Sequence, residues 1–184
     1  CVVRDSAESK ALGRLSSLRP IKQRRPQTIL AVMGCLVGED DSALRRRFPY
    51  VDLFLRPSSP APLYELLDSH GGDYALADLP ASPVAAYLPI SYGCVHHCTY
   101  CIVRLRRGPQ RSRPIEEIRA EAADLLGRGA REITLLGQNV DGYGLDLPGR
   151  PDLADLLEAL HDLDGLLRLR FLTSHPSEMG QRIL

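Results

Sequence analysis

Pro114-Ile-Glu-Glu-Ile-Arg-Ala-Glu-Ala-Ala-Asp-Leu-Leu-Gly-Arg-Gly-Ala-Arg-Glu-Ile-Thr-Leu-Leu136 changes its hydrophobic period once, and that change decides the fold. Ile115, Ile118, Ala122, Leu125 and Leu126 recur at helical spacing, so Pro114 to Arg128 predicts an amphipathic helix. Pro114 suits the first helical position, where no N–H is needed. Glu132 to Leu136 then becomes a run of strand length. Outward from here the alternation repeats. Tyr87 to Ile90 predicts a strand, Ser91 to Arg113 a long loop, Gly137 to Arg150 a Gly-rich loop, Asp152 to Leu163 a helix carrying Leu153, Leu156, Leu157 and Leu160, and Leu167 to Leu172 a third strand. Strand–helix–strand–helix–strand with short returns requires parallel strands joined by right-handed crossovers, as in a (β/α) barrel or part of one. Chemistry in such folds gathers at the C-terminal ends of the strands.

The N-terminal side alternates in the same way. Ala7, Ala11, Leu15 and Leu18 mark one helical face, followed by the basic stretch Lys22 to Arg25 and by Pro26. Thr28 to Met33 is continuously apolar and predicts a buried parallel strand, with Cys35 just past its end. Asp41 to Phe48 predicts a helix, Tyr50 to Leu55 a strand and Pro62 to His70 a helix. Gly71 to Ala86 shifts to Gly, Pro, Ser and Ala without period, as a linker does. The expected organisation is a small, partial α/β domain over residues 1–70, a linker over 71–86, and the first half of a (β/α) barrel over 87–184. The start at Cys1, and the stop at Leu184 soon after a helix-like beginning at Pro176, lead to the expectation that both ends are cut from a longer protein.

Composition narrows the class. With 44% hydrophobic and 25% charged residues the chain is neither disordered nor fibrous. Its 23 Lys+Arg balance 23 Asp+Glu, so net charge argues for neither nucleic acid nor membrane. No apolar run approaches the roughly 20 residues of a membrane span. Five cysteines are an odd set, and three crowd together as Cys94, Cys98 and Cys101. Disulfide frameworks use even, dispersed cysteines, so a reducing cytoplasm and a metal cofactor are expected.

Gly93-Cys94-Val-His-His-Cys98-Thr-Tyr-Cys101 follows directly on the predicted strand Tyr87 to Ile90. Three thiolates on one short loop can hold three irons of a [4Fe–4S] cluster, leaving the fourth iron open to a chelating substrate. Zinc with His96 or His97 as fourth ligand is the alternative, although structural zinc sites usually use two separated pairs. Inert thiols are a third reading.

Cys94 to Cys101 resembles the signature of the radical S-adenosylmethionine enzymes. The wider pattern, Pro89-Ile-Ser-Tyr-Gly-Cys94 through Cys101-Ile-Val103, then Arg107-Gly108 and Ser112-Arg113-Pro114, resembles the methylthiotransferases. Glu132-Ile-Thr-Leu-Leu-Gly-Gln-Asn-Val140 and Arg170-Phe-Leu-Thr-Ser-His-Pro176 resemble the branch that modifies isopentenylated adenosine in tRNA. Cys1-Val-Val-Arg-Asp-Ser-Ala-Glu-Ser-Lys10 and Ala31-Val-Met-Gly-Cys35 match that family's N-terminal domain. The resemblance implies S-adenosylmethionine and two [4Fe–4S] clusters. Cys94, Cys98 and Cys101 would hold one; Cys1 and Cys35, with a third cysteine upstream, would hold the auxiliary one. It also implies a tRNA substrate methylthiolated at C-2 of the adenosine beside the anticodon, and an electron donor such as a flavodoxin-type reductant. Rival readings are a sister methylthiotransferase acting on threonylcarbamoyl-adenosine or a ribosomal protein, and a non-catalytic metal-dependent RNA-binding module.

Further residues are candidates at the same rim. Tyr100 lies inside the cysteine loop, where the resemblance implies an aromatic beside the adenine; a packing role is the alternative. Gln138 and Asn139 follow the second barrel strand, and Thr173, Ser174 and His175 follow the third. Their amides and hydroxyls either bind the cofactor or serve turns and caps. Arg104, Arg106, Arg107, Arg111 and Arg113 crowd one segment, where planar donors suit phosphate or a carboxylate. As a group they favour an RNA backbone, with Arg104, Arg106 and Arg107 foremost. Here the sequence departs from the family: Arg104 stands where Pro is usual, and Pro109-Gln110 replaces a basic–acidic pair.

Overall fold

The computed structural model describes residues 2–57, 59–70, 83–175, 178 and 180–183. Cys1, most of the expected linker and Pro176 lie outside them. The chain divides into two compact units, Cys1–Ala75 with Tyr100–Arg107, and Leu76–Thr99 with Gly108–Leu184.

The first unit runs α1 (Asp5–Arg24), β1 (Ala31–Met33), α2 (Ser42–Arg47), β2 (Leu53–Leu55) and α3 (Ala61–Ser69), and includes α4 (Val103–Arg107). β1 and β2 pair in parallel, from Ala31 against Leu53 to Met33 against Leu55. Leu15, Val37, Phe48, Val51 and Phe54 form its core, with Leu12, Val32 and Leu44 packed against them. Tyr50 donates its hydroxyl to the Leu15 carbonyl at 2.8 Å, tying α1 down. Asp52 joins the strand beginnings: it accepts from the Leu30 N–H at 2.7 Å and pairs with Lys22 at 2.8 Å. β1 corrects one expectation. It is three residues long and is not buried, since Ala31 is exposed and Met33 is 54% exposed. Among the described residues β1 has one neighbour, and only Val32 of the strand packs against the core, so the apolar run obeys the period-two rule of a half-covered sheet.

The second unit holds β3 (Ala85–Pro89), β4 (Ser91–Tyr92), β5 (Arg111–Ser112), α5 (Ile115–Gly127), β6 (Glu132–Leu136), α6 (Leu153–His161) and β7 (Arg168–Phe171). β3, β6 and β7 form a parallel sheet in the order β3-β6-β7, as expected of a (β/α) series. Central β6 buries Ile133, Thr134 and Leu135, whereas β3 buries only Ala86 and Leu88. Ile118, Ala122 and Leu126 of α5 and Leu153, Leu156 and Leu160 of α6 join Leu88, Ile133 and Leu135 in one core. α6 starts at a capping box, in which Asp155 N–H donates to Asp152 Oδ1 at 2.9 Å and Asp152 N–H to Asp155 Oδ2 at 2.8 Å.

Three expectations change here. β3 begins at Ala85, inside the expected linker, because Ala86 packs into the core. Pro114 is the N-cap of α5 rather than its first residue; its ψ of 145° is extended, and its carbonyl accepts the Ile118 N–H at 3.2 Å. Residues 91–113, expected as one long loop, are closed at their base by antiparallel β4 and β5, Ser91 facing Ser112 and Tyr92 facing Arg111. Two-residue strands carry no period that a sequence reading could detect.

Candidate metal and cofactor site

The cysteine loop leaves the sheet through Gly93, whose φ of +71° lies in the left-handed region. A Cβ there would also run into the Pro109 carbonyl, so the position requires glycine on two counts. Cys94 N–H donates to the Gly108 carbonyl at 3.3 Å, continuing the closure one residue beyond β4. On the return arm Gln110 is buried, and its amide donates to the Gly142 carbonyl and to Ser112 Oγ. Ser112 gives Asp146 both its N–H (2.8 Å) and its hydroxyl (2.6 Å). Burial pushes the Asp146 carboxyl up, but the bonds from Ser112, from its own backbone N–H and from Gln110 together hold the group below the usual carboxylate range.

The loop after β6 is a packed element rather than the open Gly-rich loop its composition suggests. Asn139, Val140, Asp141 and Tyr143 are all buried. Tyr143 donates its hydroxyl to the Arg113 carbonyl at 2.6 Å. Arg113, counted in the sequence among the candidate phosphate-binding arginines, is consumed structurally: its guanidinium donates to the Pro89 carbonyl at 2.8 Å and to Glu121 at 2.6 Å.

At the C-terminal ends of the strands the structure gathers side chains from three segments of the second unit. His96, from the cysteine loop, stacks on His175 with ring centroids 4.1 Å apart. Its Nε2 lies 3.1 Å from Glu178 Oε1 and 3.3 Å from Asn139 Nδ2, and that same amide donates to Glu178 Oε2. Asp141 accepts the Ser174 hydroxyl at 3.2 Å and the His175 N–H at 2.8 Å. The expected shared rim of Asn139, Ser174 and His175 is therefore present. Thr173 departs from it, for its φ is +71° and its hydroxyl turns back to the Gly137 carbonyl at 2.8 Å. Gln138 is half-buried. The sequence reading missed Asp141 and Glu178, two isolated acids whose partners lie far along the chain.

Cys94 and Cys98 are half-buried in the second unit, and Cys101 is exposed in the first. Tyr100 is 90% exposed, which removes the packing role considered for it. Cys35 is half-buried beyond β1. Arg104, Arg106 and Arg107 lie in α4 and are half-buried. Arg106 reaches the turn after Cys35: a Cβ on Gly38 would come within 2.6 Å of its Nη1. Among the described residues no group of three or more His, Cys, Asp or Glu side chains is gathered closely enough to hold a metal ion. The donor chemistry of the loop nonetheless fits an iron–sulfur group, with soft thiols closely spaced on a segment pinned at its base. Asn139 Oδ1 is buried without a hydrogen-bond partner among the described residues, so an acceptor at this rim remains for a ligand's donor.

A parallel βα sheet with a CxxxCxxC loop beyond its first strand defines a class, and comparison agrees. Residues 88–182, more than half of the chain, match the Radical SAM superfamily, and the chain belongs to it. Membership implies a [4Fe–4S] cluster and S-adenosylmethionine. Residues 1–56 match the family described as Uncharacterized protein family UPF0004. Across its whole length the chain is similar to proteins named tRNA-2-methylthio-N(6)-dimethylallyladenosine synthase. It is 49% identical to one from Dehalococcoides mccartyi, covering 43% of that protein, and 49% identical to one from Roseiflexus sp., covering 40%. It is 48% identical to one from Herpetosiphon aurantiacus, covering 43%. The chain thus spans less than half the length of these relatives. Among the described residues no helix is long and apolar enough to cross a membrane.

Proposed function

We propose that this chain forms the N-terminal and cofactor-cleaving parts of a tRNA methylthiotransferase, which adds a methylthio group to C-2 of isopentenylated adenosine beside the anticodon. The observation that carries this reading is the CxxxCxxC loop at the end of β3, within a chain 48% identical over its whole length to a protein bearing that synthase name. Residues 1–70 would be the methylthiotransferase N-terminal domain, 71–86 a linker, and 87–184 the radical S-adenosylmethionine domain.

Cys94, Cys98 and Cys101 would hold three irons of the cluster, leaving the fourth to the cofactor's amino and carboxylate groups. A cluster bound there would supply the one electron for reductive cleavage of S-adenosylmethionine, the chemistry needed to remove hydrogen from C-2. Cys1 and Cys35, with a third thiol, would hold the auxiliary cluster that donates sulfur. Tyr100 would lie along the adenine. Asn139 would accept from the cofactor through its unpartnered Oδ1, with Gln138 and Ser174 beside it. Arg104, Arg106 and Arg107 would meet tRNA phosphates. A flavodoxin-type reductant in the cytoplasm is the fitting electron source.

Membership of the Radical SAM superfamily over residues 88–182 favours iron–sulfur over zinc with His96 or His97 as fourth ligand. The test is anaerobic reconstitution of the whole protein, followed by measurement of 5′-deoxyadenosine and mass analysis of tRNA nucleosides. Iron-dependent cleavage that is abolished in Cys98→Ala, with a methylthio group on isopentenyladenosine, is the expected result. Wild-type yields from Cys98→Ala, or zinc bound without iron, would overturn the cluster assignment. A methylthio group on threonylcarbamoyl-adenosine instead would move the protein to the sister branch.

A further inference from the structure

We infer that His96 is a positioning residue that locks the cysteine loop to the loops following β6 and β7, through one proton donated to Glu178. The inference deepens the cluster reading and rests on it for the identity of what the loop holds.

The geometry fixes which way the proton faces. Nε2 of His96 cannot both donate to Glu178 Oε1 at 3.1 Å and accept from Asn139 Nδ2 at 3.3 Å. A bare Nε2 would set its lone pair against the Glu178 carboxylate oxygen at 3.1 Å, whereas the Asn139 amide has its own acceptor in Glu178 Oε2. His96 therefore carries its proton on Nε2, and Glu178 receives two donors, one on each oxygen. The ring is further clamped by stacking on His175, whose own N–H is tied to Asp141 at 2.8 Å.

These bonds span long loops. His96 and Asn139 are 43 residues apart, and Asn139 and Glu178 are 39 apart. The base of the cysteine loop is closed by β4, β5 and the bond from Cys94 N–H, and His96 adds a tie at its middle to segments far along the chain. His96 sits midway between Cys94 and Cys98, so fixing its ring fixes the backbone that carries both thiols. A loop held in one shape before loading loses less freedom when its thiolates close on a metal group.

The experiment uses the whole protein, first metal-free and then reconstituted. Amide exchange over residues 94–98 in the metal-free protein should quicken about tenfold in His96→Ala, the effect of losing one charge-assisted hydrogen bond. His96→Gln, whose Nε2 can still donate to Glu178, should stay within about threefold of wild type. Glu178→Ala should quicken the same amides, and the double variant should fall short of the product of the two single effects, since both remove the shared His96–Glu178 bond. Amides of 133–135 in β6 serve as the reference and should be unchanged. Iron release from reconstituted protein to a chelator should quicken in the same order. Unchanged exchange in His96→Ala, additive effects in the double variant, or a His96→Gln as fast as His96→Ala would each overturn the lock. Failure of wild-type protein to bind iron would instead overturn the cluster reading, because the exchange measurement needs no metal.

Discussion

Replacing Tyr143 with Phe reads out the base of the cysteine loop directly. The side chain is 1% exposed and donates to the Arg113 carbonyl at 2.6 Å. Arg113 in turn gives its N–H to the Ile90 carbonyl at 2.9 Å and its guanidinium to the Pro89 carbonyl at 2.8 Å. Tyr143 thus braces the junction between the loop's return arm and β3. Tyr143→Phe leaves a buried carbonyl without its donor, which costs about 1–3 kcal/mol at neutral pH. The pH dependence makes the test sharper. Burial, then the charges of Glu116 and Asp146, push the phenol up to about 12 against the lowering effect of Arg113. A raised folded value means that the fold favours the neutral phenol. The stabilisation is complete below about pH 10 and is lost as pH rises towards 12, because the unfolded phenol ionises first. At 1.36 kcal/mol per unit, the wild type sheds roughly 2–3 kcal/mol over that window and the Phe variant does not. The two stabilities should converge between pH 10 and 11.5. Urea unfolding followed by far-ultraviolet circular dichroism at pH 7, 9, 10, 11 and 11.5 measures it. A stability difference that stays constant across this range, or no difference at pH 7, would refute the reasoning.

Three further outcomes follow from the geometry. Gly93→Ala sets a Cβ against the Pro109 carbonyl at a left-handed φ, so it should lose at least ~2 kcal/mol, and the melting temperature should fall by about 4–8 °C; an unchanged melting curve would show that the loop base can shift freely. Cys35→Ala in the whole protein should keep 5′-deoxyadenosine formation but lose tRNA thiolation, with iron content falling by about half as two four-iron clusters become one. Normal methylthio-adenosine in that variant's tRNA would reduce Cys35 to a packing residue. Replacing Arg104, Arg106 and Arg107 together with Gln should lessen the salt dependence of tRNA binding by about two to three units of log–log slope, with cofactor cleavage in the absence of tRNA little changed. An unchanged slope with lost cleavage would assign these arginines to the cofactor or to the packing of α4 beside Gly38.

The amino-acid sequence by itself determined the parallel βα order, the helix faces and the cysteine loop. β6 occupies Glu132–Leu136 as read from the chain, because a central strand covered on both faces reads as a short apolar run, here Ile133, Leu135 and Leu136 broken by Thr134. α5 and α6 were legible for the same reason: Ile118, Ala122 and Leu126, and Leu153, Leu156 and Leu160, repeat at the helical period. The spacing of Cys94, Cys98 and Cys101 is local, so its chemistry needs no fold to be recognised. What tertiary structure decided is everything that depends on residues distant in sequence. The exposure of Met33 follows from how many neighbours β1 has, which the run Thr28 to Met33 does not encode. The pairing of β4 with β5 involves two residues on each side, too few for any period. Arg113 looked like its neighbours in an arginine-rich segment until Pro89 and Glu121 were seen beside it. Glu178 and Asp141 are single acids in irregular segments, and only the folding of three strand ends to one rim sets them against His96, Asn139, Ser174 and His175. Periodicity reports which face of an element is buried; it carries no information about which distant polar groups will share that burial, and those partners shape this site.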